Sequence, residues 1–113
     1  MDMSRPIVDL TNLREIIGND KALEKNLIEL FLSSSKDNIG YLQRNCLDKV
    51  DAEWKMNAHS LKGATRNIGA STLAELCAKA QELHSAPAAT KKEIYLQIQS
   101  EYERVKDYLM KII

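Results

Sequence analysis

The sequence has little of what several classes of protein require. It contains only two cysteines, two prolines and four glycines in 113 residues. The cysteines, Cys46 and Cys77, are too few and too far apart for a disulfide framework, and no C-x-x-C or pair of helical histidines has metal-ligand spacing. We therefore expect reduced, buried thiols, no metal site and a cytoplasmic location.

Long hydrophobic runs and an excess of charge of one sign are also absent. No apolar run approaches the roughly 18 residues of a transmembrane helix, and the start of the chain lacks the basic and then apolar layout of a signal peptide. Sixteen basic residues balance sixteen acidic ones, so neither nucleic acid nor a membrane is an expected partner. Without low-complexity tracts or internal repeats, residues 1–113 are expected to form a single domain.

Apolar residues at helical spacing extend along nearly the whole chain, and the alternation typical of strands is missing. The predicted fold is all-α: an antiparallel four-helix bundle with a short additional N-terminal helix. The short helix is predicted from about Leu10 to Ile17, closed by Gly18. Asn19 or Asp20 is the expected cap of a long second helix.

The second and third helices are predicted from their apolar stripes and glycines. The second extends to about Leu47 and has a predicted inner stripe of Leu23, Leu27, Leu30, Phe31, Ser34, Tyr41 and Leu42. Asp51 is the expected cap of the third helix, which ends at Ile68 before Gly69.

Capping-box spacing predicts where the last two helices begin. Ser71 or Thr72 can start the fourth helix, with Thr72 and Glu75 in capping-box spacing, and Thr90 with Glu93 repeats that spacing after the break at Pro87. The fourth helix is expected to end near His84, and the last helix carries an apolar stripe up to Leu109.

The third helix separates a core side from a basic outer side. Spacing of about 100° per residue assigns to the core side Val50, Trp54, Asn57, Leu61, Ala64 and Ile68. His59 points the opposite way. The residues around it are Ala52, Lys55, Met56, Lys62, Gly63 and Arg66, so this face of the helix carries no carboxylate.

A lone histidine on the solvent side of a helix is usually only a surface residue. Gly63 alters that interpretation, because glycine in mid-helix costs about 1 kcal/mol relative to alanine and an exposed position offers no packing reason for it. A neutral imidazole is a competent nucleophile. Lys62 could neutralise the charge of a phosphoryl group on His59. The missing side chain at Gly63 leaves the helix surface open, so that a partner's aspartate and metal ion could approach.

The segment His59-Ser60-Leu61-Lys62-Gly63, followed by Ile68 and Gly69, resembles the H-x-L-K-G signature of histidine-phosphotransfer (HPt) domains. The resemblance covers roughly residues 9–109. It implies that His59 is the phosphoacceptor, that Lys62 steadies the phosphoryl group and that Gly63 gives access to the partner. It also implies that Gln81 hydrogen-bonds the imidazole nitrogen of His59 that is not phosphorylated. The alternative is that Gln81 occupies an ordinary polar position on an amphipathic helix.

The sequence departs from the family one turn beyond the glutamine, where some relatives have a basic residue and this chain has Ser85. Lys55 and Arg66 are candidates to replace that cation or to contact acidic rims of a partner, unless both are merely solvated. Met56 is either an apolar docking contact or a half-buried packing residue.

The resemblance implies a phosphorelay intermediate that acts as a monomer. A receiver-domain aspartate would donate a phosphoryl group to His59, which passes it to another receiver; a hybrid histidine kinase is a second candidate partner. The magnesium ion is expected in the receiver, and this chain needs no cofactor. Without a P-loop, no autonomous kinase activity is expected. The alternatives are an unphosphorylated bundle that inhibits a receiver or kinase by binding it, and a purely structural bundle.

Overall fold

Five helices account for most of the described chain. The computed structural model describes residues 6–48 and 50–113. In that part the helices are α1 (Thr11–Ile17), α2 (Lys21–Asp48), α3 (Asp51–Ile68), α4 (Ser71–Glu82) and α5 (Ala88–Ile112), and there is no strand. α3 packs against α2 and α4, α5 packs against the same two helices, and α1 contacts α2 and α3. The predicted helical bundle with a short N-terminal helix is confirmed. No helix of the described residues has the length and apolar character that crossing a bilayer requires.

The predicted junction between α1 and α2 is confirmed. α1 ends at Gly18, whose φ of 67° is left-handed. Of the two candidate caps, Asp20 accepts a hydrogen bond at Oδ1 from the Leu23 N–H at 3.0 Å. Arg14 Nε of α1 lies 2.6 Å from Glu24 Oε1 of α2, and this contact holds the pKa of the Glu24 carboxyl below its ordinary value. This ion pair stabilises the packing of α1 against α2.

The side-chain caps predicted for the later helices are wrong, although α4 does begin at Ser71, one of its two predicted starts. In the described chain, the N-cap residues of α3, α4 and α5 are Val50, Ala70 and Pro87, and none has a side-chain capping hydrogen bond. Asp51 lies within the first turn of α3, where its carboxylate pairs with the Lys91 amine of α5 instead. α5 begins directly after Pro87, because a missing backbone N–H is tolerated at a helix start.

The buried face of α2 is also rotated from its predicted stripe. Of the seven predicted residues only Phe31 and Leu42 are buried, whereas Leu30 is 64% exposed and Tyr41 is 46% exposed. The observed buried face comprises Glu24, Ile28, Phe31, Ser35, Ile39, Leu42, Asn45 and Cys46. Ser35 fits there because its hydroxyl donates to the Phe31 carbonyl within the helix. A polar residue that satisfies itself locally can occupy the core, so apolar spacing alone predicted the wrong face.

The burial predicted for the two cysteines is confirmed. Burial raises the pKa of the Cys77 thiol to about 12, and it raises the pKa of Cys46 as well. Neither side chain therefore forms a reactive thiolate near neutral pH.

The segment before α1 is tied to the turn between α3 and α4. The Asp9 N–H donates to the Gly69 carbonyl at 2.9 Å, and Val8 and Leu10 on either side are buried. Gly69 has a left-handed φ of 87°, and a Cβ added there would lie 1.9 Å from the Asp9 carbonyl oxygen. This position requires glycine both for its backbone conformation and for the close approach of another chain segment.

Alanine substitutions at Gly69 and Gly18 distinguish these two requirements, because both glycines have a left-handed φ. Gly69→Ala is expected to lower the free energy of unfolding by about 3 kcal/mol, because it adds left-handed strain and breaks the contact with Asp9. A Cβ added at Gly18 meets no described atom within 4 Å. Gly18→Ala should therefore lower the free energy of unfolding only by the left-handed strain, about 1 kcal/mol. Urea unfolding measures both values, and equal losses would show that the Asp9 contact contributes nothing.

Candidate functional site

α3 has one buried face, and His59 lies on the opposite face. The buried residues of the helix are Trp54, Ala58, Leu61, Thr65 and Ile68. Asn57 and Ala64, which were predicted to face the core, are only half-buried, so the core side is slightly rotated from the prediction. Thr65 is accommodated because its Oγ1 donates to the Leu61 carbonyl at 2.8 Å. His59 is exposed, as predicted.

Trp54 joins the first half of α3 to both α4 and α5. Its indole is 0% exposed, and Nε1–H donates to the Ala80 carbonyl of α4 at 2.7 Å. Lys91 Nζ of α5 lies 5.5 Å from the centre of the Trp54 ring. Lys91 is itself buried and pairs with Asp51. These contacts determine which face of α3 points to solvent at His59.

α4 brings Gln81 against the imidazole. His59 Nδ1 lies 3.4 Å from Gln81 Oε1, at the long end of the hydrogen-bond range, between residues 22 positions apart in the sequence. With the amide oxygen as acceptor, Nδ1 carries the proton and Nε2 keeps its lone pair. The predicted neighbours are therefore in contact, and the arrangement leaves Nε2 as the nucleophilic atom.

A cleft between α3 and α4, here called the basic cleft, contains Gln81, the residue that contacts His59, whereas His59 is not among the described lining residues. Its volume is about 500 Å³, and its lining residues are Lys55, Lys62, Arg66, Ala78, Gln81, Glu82 and His84. The three cations predicted on the histidine's side of α3 meet in this cleft. Their lysine and arginine donors suit an oxyanion.

Two ionisable residues of the basic cleft, Glu82 and His84, were not predicted from the sequence. The outer face of α3 was predicted to carry no carboxylate; the assembled cleft does contain one, because α4 contributes Glu82. Both residues lie within one helical turn of Gln81, and this spacing was the available signal.

Gly63 and Met56 are the other predicted site residues on α3. A Cβ added at Gly63 would have no described atom within 4 Å, so packing gives no reason for glycine at this exposed position. Met56 is 63% exposed. The interpretation of Met56 as a half-buried packing residue is therefore wrong.

A second depression, here called the apolar groove, lies between α1, α2 and α3. Its volume is about 190 Å³, and its lining residues are Leu13, Leu27, Leu30, Phe31, Ser34, Ala64, Asn67 and Ile68. None of these described lining residues is charged. This surface was not predicted from the sequence, because the apolar stripe of the second helix placed Leu27, Leu30 and Ser34 in the core.

Metal ligands are not grouped in the described part of the chain. No set of three or more His, Cys, Asp or Glu side chains there could hold a metal ion. The imidazole of His84 has a different neighbour, the Ser85 hydroxyl, with Nδ1 and Oγ 3.2 Å apart.

The cost of Gly63 to stability can be measured. Gly63→Ala should raise the free energy of unfolding by about 0.5–1 kcal/mol, because alanine is the better helix former and meets no clash. Gly40→Ala in α2 is the matched control, since its added Cβ is equally unobstructed. A destabilised Gly63→Ala in urea unfolding, beside a stabilised Gly40→Ala, would mean that Gly63 has a packing role.

Comparison with known proteins identifies the family. The family model of the Hpt domain matches residues 26–108. The crystal structure of histidine-containing phosphotransfer protein B (HptB) from Pseudomonas aeruginosa PAO1 has the same fold, with a TM-score of 0.83, 22% sequence identity and coverage of 94% of this chain and 93% of that chain. A comparison with the sequences of curated proteins gave no significant match. Since the family model matches well over half of the residues, this chain belongs to the Hpt domain family.

Proposed function

We propose that this chain carries a phosphoryl group on His59 between two receiver domains of a phosphorelay. Histidine phosphotransfer in two-component signal transduction is the activity of Hpt domains. The finer proposal is that a receiver aspartate donates the group and a second receiver aspartate accepts it. The observation that carries this proposal is the exposed His59 in contact with Gln81, beside Lys62 and Gly63.

The contact with Gln81 prepares the imidazole for attack. Nε2 attacks the phosphorus of the receiver's aspartyl phosphate; the P–O bond breaks, and its electron pair stays on the receiver carboxylate. The ring becomes positively charged while Nδ1 keeps its proton, and the Gln81 amide oxygen stabilises that charge by accepting the hydrogen bond. In the onward step, the second receiver's carboxylate attacks phosphorus and neutral His59 leaves.

Lys62 is proposed to steady the phosphoryl group. It lies one helical turn from His59 on the same face, and its side chain lines the basic cleft. A phosphoryl group brings close to two negative charges, which a nearby ammonium group offsets. Lys55 and Arg66 line the same cleft and are proposed to replace the cation that some relatives have on α4.

Docking is proposed to use the exposed surface of α3 and the apolar groove. Gly63 leaves the backbone open beside His59, so the receiver's aspartate and its magnesium ion can approach. Met56 and Leu30 are both largely exposed, and apolar side chains of this kind contribute binding energy when a partner covers them.

We also propose that the chain is a monomer, that it acts in the cytoplasm and that it has no kinase activity of its own.

The phosphoacceptor is tested with a phosphorylated receiver as donor. Incubation should label the chain with an acid-labile phosphate, as expected of a phosphorus–nitrogen bond, and His59→Gln should remove the label because it removes the proposed acceptor nitrogen. Ser60→Ala is the control for the neighbouring hydroxyl and should label like the unaltered chain. A label that survives His59→Gln would contradict the proposal, whereas receiver binding without labelling of the unaltered chain would favour the inhibitory module.

Access at Gly63 is tested with a side chain that fills the open surface. Gly63→Gln should keep the fold, since nothing described lies within 4 Å of an added Cβ, but it should slow transfer at least about tenfold by obstructing the receiver. Gly40→Gln adds the same side chain in α2 outside the cleft and the groove, and should transfer normally. Circular dichroism checks the fold and a rapid-mixing assay measures the rate; an unaffected Gly63→Gln would show that the open surface is unnecessary.

A further inference from the structure

His84 lines the basic cleft and has no role in the proposed phosphotransfer steps. It is half-buried just beyond the end of α4, and it lines the cleft together with Lys62 and Gln81. Its Nδ1 is 3.2 Å from the Ser85 hydroxyl oxygen. When the Ser85 hydroxyl donates to Nδ1, the neutral His84 ring carries its proton on Nε2, and this N–H can donate a hydrogen bond. Protonation adds a positive charge at the same place.

The charges of the basic cleft are unbalanced. Lys55, Lys62 and Arg66 face one carboxylate, Glu82, which leaves a net charge of +2 while His84 is neutral and +3 when it is protonated. All these groups belong to α3, α4 and the residues directly after α4, and the described lining contains no charged side chain from α5. Lysine, arginine and glutamate keep their charge between about pH 5 and 8, whereas histidine changes its charge there. His84 is the histidine among the described lining residues.

We propose that His84 completes an oxyanion site in the basic cleft, and that its protonation strengthens the hold on the phosphoryl group carried by His59. The anion site follows from the cleft itself, while the identity of the anion rests on the proposed function. By linkage, an anion that binds the protonated form more tightly is favoured as the pH falls. The phosphorylated state should thus be more stable at about pH 6 than at about pH 8.

Sulfate is a suitable probe, because it remains a dianion throughout this pH range and resembles a phosphoryl group in shape. Binding is measured from the amide chemical shifts of α3 and α4. The unaltered chain should bind sulfate about two- to fivefold more tightly at pH 6 than at pH 8, the effect of one partly exposed ion pair. His84→Asn should abolish this dependence, and His84→Lys should bind tightly at both pH values.

Two further variants exclude other origins of the pH effect. His59→Gln should keep the dependence, because His84 is intact; its loss in this variant would assign the effect to His59 and overturn the proposal. Glu82→Gln should tighten binding at both pH values, since it removes the opposing carboxylate. A His84→Asn variant that still responds to pH like the unaltered chain would also overturn the role of His84.

The phosphorylated chain tests whether the phosphoryl group of His59 occupies this site. Phosphoramidate can supply the group without a receiver: its P–N bond breaks, a bond from phosphorus to His59 Nε2 forms, and ammonia leaves. Phosphorylation should abolish sulfate binding, and sulfate that binds the phosphorylated chain with unchanged affinity would overturn the assignment. Because no receiver takes part, failure of transfer from receivers leaves this result intact, and the two proposals fail separately.

Discussion

The rotation of α3 about its own axis is the constraint on which the rest of the site depends. Trp54 fixes that rotation, because a buried indole N–H needs an acceptor and finds it in the Ala80 carbonyl. A rotation by one residue would move every side chain of α3 by about 100°. It would turn His59 away from solvent and leave the indole without its partner. The position of the reactive histidine is thus set by a contact on the opposite side of its helix.

The helix that carries His59 consequently contributes to two surfaces of different chemistry. The basic cleft on the α4 side brings the cations of α3 together with Gln81 and His84, whereas no described residue that lines the apolar groove on the α2 side is charged. A charged surface favours an anion and attracts a partner at a distance, while an apolar surface contributes binding energy on contact. The fold separates the two tasks because they fall on different helix pairs.

Turn chemistry explains which parts of the fold could be predicted. Gly18 and Gly69 mark helix ends reliably, because a left-handed residue ends a helix whatever packs around it. The caps of α3 to α5 could not be predicted in the same way; the Asp51 carboxylate, for example, pairs with the buried Lys91 amine across the bundle, a partner that local spacing does not reveal. The buried face of α2 was displaced for a related reason: Ser35 satisfies its hydroxyl within the helix and so enters the core.

The sequence by itself determined the arrangement of His59, Lys62 and Gly63, because residues of one helix have relative positions set by its geometry. The tertiary structure decided what faces them. The contact of Gln81 with the imidazole, the entry of Glu82 and His84 into the basic cleft, and the exposure of Leu30 all depend on how separate helices are rotated and aligned. Those rotations come from packing between helices distant in the sequence, such as Trp54 against α4, and spacing within one helix carries no information about them.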